Sequence, residues 1–139
     1  MAFRLFLDTD VLLDFTLKRD AHGVARQLIE WAIKGKVQVF ITPGIVQIAG
    51  YWLTRAYGPL KAKELLEAML TDVQVIDIGH EMTVSALHSR INNMEQALQY
   101  YAALHHKLDY FISRDKELDK AASPVLPVCS PKYFIENNH

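Results

Sequence analysis

The stretch Phe3-Arg-Leu-Phe-Leu-Asp8-Thr9-Asp10-Val-Leu-Leu-Asp14-Phe constrains the fold of this chain more than any other. It begins as an apolar run of the kind that forms a parallel strand buried on both faces. It then meets two acids one residue apart. A strand that ends in acids and turns into a helix places them at its carboxyl edge, where open α/β sheets bind ligands. Two carboxylates there suit a hard cation. The plainer reading makes Asp10 the cap of the following helix and Asp8 a solvated strand end.

The remainder of the chain repeats the strand-then-helix rhythm. Val37–Ile41 reads as a second strand, 73–78 as a third, 108–113 as a fourth and Pro124–Val128 as a fifth. The prolines put the fifth at a sheet edge. Helices are expected over about 10–17, 21–34, 43–56, 60–70, 81–90 and 94–107, with a helical turn from Lys116 and a last short helix. Thr42-Pro43 and Ser130-Pro131 each join a hydroxyl cap to proline at the first helical position. Gly35 should close the second helix, and 137–139 should fray. Strands alternating with helices predict a three-layer α/β/α sandwich around a parallel sheet of about five strands. At 139 residues, 1–139 is expected to form a single domain.

Composition narrows the function. The net charge of -1 gives no overall field that attracts nucleic acid, so such contact needs a local patch. Cys129 is the only cysteine, which excludes an intramolecular disulfide and fits a reducing compartment. Its apolar setting marks it as packing rather than a nucleophile. No apolar run approaches the ~18 residues of a membrane span and no signal-type segment opens the chain, so a cytoplasmic protein without membrane contact is expected. The six histidines show no zinc-type spacing, and neither a glycine-rich phosphate loop nor a Gly-x-Ser-x-Gly elbow is present. A phosphoacceptor reading is weak, because it needs an acid and a lysine ending separate strands and Lys116 lies in the turn after Asp115.

Asp115 follows the fourth strand and Asp119 lies four residues on, while Glu95 and Gln96 open the helix of Met94. If the strands before Asp8 and Asp115 are neighbours, their acids share one crevice. Leu5-Phe-Leu-Asp8-Thr9-Asp10-Val-Leu-Leu-Asp14, Gln96-Ala-Leu-Gln-Tyr-Tyr-Ala-Ala103 and Asp109-Tyr-Phe-Ile-Ser-Arg-Asp115 together resemble the PIN domains. That family comprises metal-dependent nucleases, including the toxins of many bacterial toxin–antitoxin pairs.

The resemblance spans essentially the whole chain. It implies Mg²⁺ or Mn²⁺ on clustered acids, hydrolysis of an RNA phosphodiester, an antitoxin partner and a homodimer. By position, Asp8 and Asp115 would ligate the metal and act in catalysis. Asp10 would join them at the metal or hold a bound water, Asp119 would be a further helper, and Gln96 would orient water or phosphate. Two departures stand out. Residues 31–63 contain no Asp or Glu, and Gln47 or Ile48 holds the place of a family acid. Gln96 holds another. These gaps keep open a depleted PIN domain that binds RNA or protein without turnover. Glu95 is read first as a capping-box acid paired with Asn92 and second as a ligand.

Several residues carry two readings. Arg114 either clamps a phosphate or pairs with an acid. Thr9 bonds a site carboxylate or its own turn. Lys18-Arg19 touches an RNA backbone or lies in a solvated loop. Tyr100 and Tyr101 stack on bases or pack in the core. Trp31, Tyr51, Trp52 and Leu53 are core or interface, with Trp52 the candidate anchor.

Overall fold

A computed structural model describes residues 2–138; Met1 and His139 lie outside it, and with His139 the end of the expected frayed tail. The elements run β1 (Phe3–Leu7), α1 (Thr9–Thr16), α2 (His22–Ile33), β2 (Val37–Ile41), α3 (Pro43–Tyr57), α4 (Pro59–Met69), β3 (Val73–Val75), α5 (His80–Leu87), α6 (Met94–His105), β4 (Tyr110–Ile112), α7 (Lys116–Lys120), β5 (Val128–Cys129) and α8 (Pro131–Asn137). The five strands form one parallel sheet in the order β3-β2-β1-β4-β5.

This order follows from the burial the strands require. β1 is central, and Leu5, Phe6 and Leu7 are at most 1% exposed although successive side chains point to opposite faces. Only a strand covered on both faces can bury such a run. Phe6 and Phe111 are register partners on β1 and β4, and their rings stack with centroids 5.1 Å apart. On the helices, Ala25, Leu28, Ile29 and Trp31 of α2 and Ile45, Ala49 and Leu53 of α3 recur at helical spacing and join the same apolar cluster.

The caps fall where the residue types dictate. Thr42 Oγ1 accepts from Ile45 N, and Ser130 Oγ accepts from Tyr133 N, each with proline at the start of its helix. Gly35, at φ +75°, follows α2. Asn138 caps α8, so Asn137 is helical rather than frayed.

The fifth strand departs from expectation. It is Val128–Cys129, not Pro124–Val128. Neither Pro124 nor Pro127 can donate to a ladder, and a turn instead bonds Leu126 N to Ser123 O. β3 and β4 are shorter than expected, and α5 ends at Leu87 rather than Arg90. Tyr100 is the buried member of its pair, at 1% exposure, and its hydroxyl donates to Leu126 O and accepts from Ser123 N. Trp31 and Leu53 are buried, whereas Tyr51 and Trp52 are exposed, so the core reading fails for those two.

Candidate functional site

β1 and β4 are neighbours, and the strand order reverses between them. A crevice opens at the carboxyl edge beside such a reversal. Asp8 leaves β1 there and Asp115 leaves the turn after β4. Asp8, Asp10, Glu95 and Asp115 line one cleft of about 270 Å³.

Asp8 is its floor, at 6% exposure. It also caps α1, the role the sequence suggested for Asp10, which instead lies exposed in the first turn. Asp8 Oδ1 accepts from Thr9 N at 2.8 Å; Oδ2 accepts from Ser113 Oγ at 2.7 Å and Gln96 Nε2 at 3.0 Å. Burial pushes its carboxyl above the ordinary aspartate value, and these hydrogen bonds pull against that shift without overcoming it. Among the described residues no cationic group lies within ion-pairing distance of Asp8.

Asp14 provides the contrast. It is 2% exposed and accepts Arg114 Nε and Nη2 at 2.7 and 3.0 Å, with Arg19 Nη1 at 3.7 Å. Arg114 therefore pairs with an acid and is not a free phosphate clamp. Arg19 lines the acidic cleft and approaches Asp10 at 3.5 Å.

Asp115 is exposed, and its Oδ1 caps α7 by accepting from Glu117 N at 2.9 Å. Its backbone N donates to Ser113 Oγ at 3.0 Å, so Ser113 bridges Asp115 to Asp8. Sequence reading missed Ser113; its place at the end of a strand, two residues from Asp115, was the available signal. Asp119 faces a different cleft, of about 640 Å³, with Tyr133 and Cys129.

Two ambiguities close. Ile48, not Gln47, faces the Asp8 cleft, so an apolar side chain stands on that wall beside Trp52. The cap of α6 is Asn93, whose Oδ1 accepts from Gln96 N at 3.0 Å, so Glu95 is not a capping-box acid. Its Oε1 instead accepts from Thr9 Oγ1 and Gln99 Nε2, both at 3.0 Å. Thr9 thus bonds a site carboxylate.

The donors fit a hard divalent cation in charge and fall short in number. A buried carboxylate with no counter-charge is costly, and a cation would offset it. Yet among the described residues no three His, Cys, Asp or Glu side chains converge closely enough to hold a metal. Mg²⁺ can be held by one or two carboxylates with waters and substrate phosphate completing its shell.

The PIN domain family model matches residues 4–117, and the chain belongs to that family. Solved structures share the fold. A chain of VapBC2 from Rickettsia felis, bound to a DNA fragment from their promoter, gives a TM-score of 0.68 at 14% identity, over 92% of this chain and 98% of that one. A toxin–antitoxin complex from Klebsiella pneumoniae gives 0.67 at 20%, over 91% and 97%. VapC20 of Mycobacterium tuberculosis, a Sarcin-Ricin loop cleaving toxin, gives 0.68 at 18%, over 88% and 98%. At these identities the likeness establishes the fold. No curated protein matches the sequence. No helix among the described residues is long and apolar enough to cross a membrane.

Proposed function

We propose that this PIN domain is a divalent-cation-dependent endoribonuclease, with Asp8 and Asp115 holding Mg²⁺ or Mn²⁺. One observation carries the reading: Asp8 is a buried acid without a cationic partner, in a cleft it shares with Asp115. When bound, such a cation lowers the pKa of a water molecule and offsets charge on a leaving oxygen. The chain's own residues position the reactants. Ser113 fixes the Asp8 carboxylate and the backbone of Asp115 together. Gln96 donates one amide N–H to Asp8 Oδ2 and lines the cleft, where the rest of its amide orients a water or a phosphate oxygen. Asp10, exposed at the rim, assists with charge and is partly offset by Arg19.

A toxin role, with an antitoxin as partner and a homodimer as assembly, is the biological setting we infer. The relatives crystallised as toxin–antitoxin complexes support it. Exposed Tyr51 and Trp52 on α3 suit a partner surface.

The test is cleavage of a mixed RNA pool in Mn²⁺ by the wild type and by Asp115→Asn. The reading expects cleavage that the substitution abolishes. Equal cleavage by both would assign the activity to a contaminant. A second reading, an RNA- or protein-binding domain without turnover, is favoured by Ile48 on the wall and by an amide rather than an acid at Gln96. RNA retention without cleavage, by wild type and variant alike, would select it.

A further inference from the structure

Resting on the ribonuclease reading, we propose that Trp52 is a stacking platform for a nucleobase of the RNA strand held at the acid cleft, and that Arg55 beside it contacts a phosphate of the same strand. Of the large apolar side chains that stand exposed among the described residues, Trp52 alone lines that cleft. Ile48, one turn earlier on α3, lines it too. This wall therefore offers ring and hydrocarbon where Asp8, Asp10 and Asp115 offer carboxylates. A nucleotide needs such unlike neighbours, because its base is a flat apolar face and its charge sits on the phosphate.

The ring is braced. Trp52 is 45% exposed, and Tyr51 meets it edge-on with centroids 5.2 Å apart and planes at 84°. The Arg55 guanidinium lies 5.7 Å from the Tyr51 ring centre and 6.0 Å from that of Trp52, and its Nη1 donates to the Tyr51 hydroxyl at 3.0 Å. A side chain already held in place loses little freedom on binding. Among the described residues no acid pairs with Arg55. Residues 31–63 hold five Lys and Arg and no Asp or Glu, and exposed Lys61 and Lys63 follow on α4, which packs against α3. The segment that lacks a family acid thus supplies the local positive patch that a net charge of -1 does not.

A protein contact is the competing explanation. Tyr57 and Leu60, exposed and outside the cleft lining, suit one. A protein contact covers the Trp52 ring without RNA, whereas a base needs that ring free.

The experiment measures binding of a short mixed-sequence single-stranded oligoribonucleotide to the full chain in chelator, by quenching of tryptophan fluorescence and by filter retention. Trp31 is buried, so the quenchable emission belongs to Trp52. The oligomer is expected to quench it, and the same strand without bases is not. Trp52→Ala is expected to weaken retention by about tenfold, the scale of one lost base stack, and Trp52→Phe to keep most of it. Arg55→Ala should lower the slope of log affinity against log salt by about 0.7, one phosphate contact on a single strand, and Arg55→Lys should leave it unchanged. Unchanged retention by folded Trp52→Ala, with or without loss of a dimer, would overturn this proposal and leave the ribonuclease reading standing. A folded wild type that neither retains nor cleaves RNA would overturn both.

Discussion

Arg114 closes on both carboxylate oxygens of Asp14, at 2.7 and 3.0 Å, and ties the turn after β4 to α1. Arg114, the cation that precedes Asp115, is thereby spent on a buried acid outside the lining of the cleft. Removing it strands that charge. Arg114→Ala is expected to cost about 2 kcal/mol, less than breaking a fully buried pair, because the guanidinium is half exposed and Arg19 remains nearby. Urea denaturation measures this. A change too small to resolve would mean Arg19 neutralises Asp14 alone.

Asp8 behaves oppositely. Its carboxyl is raised by burial, so the folded chain holds that proton more tightly than the unfolded chain. Ionised Asp8 then subtracts stability. The penalty is absent below the ordinary aspartate value, develops as pH rises through the raised value, and is full above it. Without divalent cation, Asp8→Asn should stabilise the protein at neutral pH by about 1 kcal/mol, as removal of a strained functional group commonly does. The gain should vanish below about pH 4. Ser113 and Gln96 can reorient to accept from the new amide. Equal stability across this range would show that the three hydrogen bonds already neutralise the cost.

Tyr100 anchors the turn before β5. Tyr100→Phe strips the partner from both Leu126 O and Ser123 N. A loss of about 2 kcal/mol is expected for two newly unpaired groups. Thermal melting checks it, and an unchanged midpoint would mean that water replaces the hydroxyl.

Cys129 should be a quiet thiol. Burial pushes it up to about 11, which leaves little thiolate at mildly alkaline pH. Its reaction with an aromatic disulfide reagent should be slow in the native protein and fast after denaturation. Rapid native reaction would contradict the burial assigned to it.

What the sequence disclosed was mostly local chemistry. Thr42-Pro43 and Ser130-Pro131 start helices because a hydroxyl and a proline suffice without distant partners. The apolar runs before Asp8 and Asp115 marked buried strands, and their adjacency placed both acids at one edge. What escaped depends on single-residue rotations or distant contacts. Asn92 and Asn93 are equally good caps by type, and the choice between them turns Glu95 from a cap toward the cleft. Gln47 and Ile48 are separated by one helical step, which decides the character of the wall. The Arg114–Asp14 pair joins residues a hundred positions apart, and no local pattern announces it. At Pro124–Val128 the apolar run outweighed the missing donors, so the strand was expected too early.

Isothermal calorimetry of Mn²⁺ with the wild type and Asp8→Asn addresses the central claim most directly. Saturable binding by the wild type at or below millimolar concentration, lost in the variant, is the predicted result. No binding by the folded wild type, or equal binding by both proteins, would contradict Asp8 as the buried anion awaiting a cation.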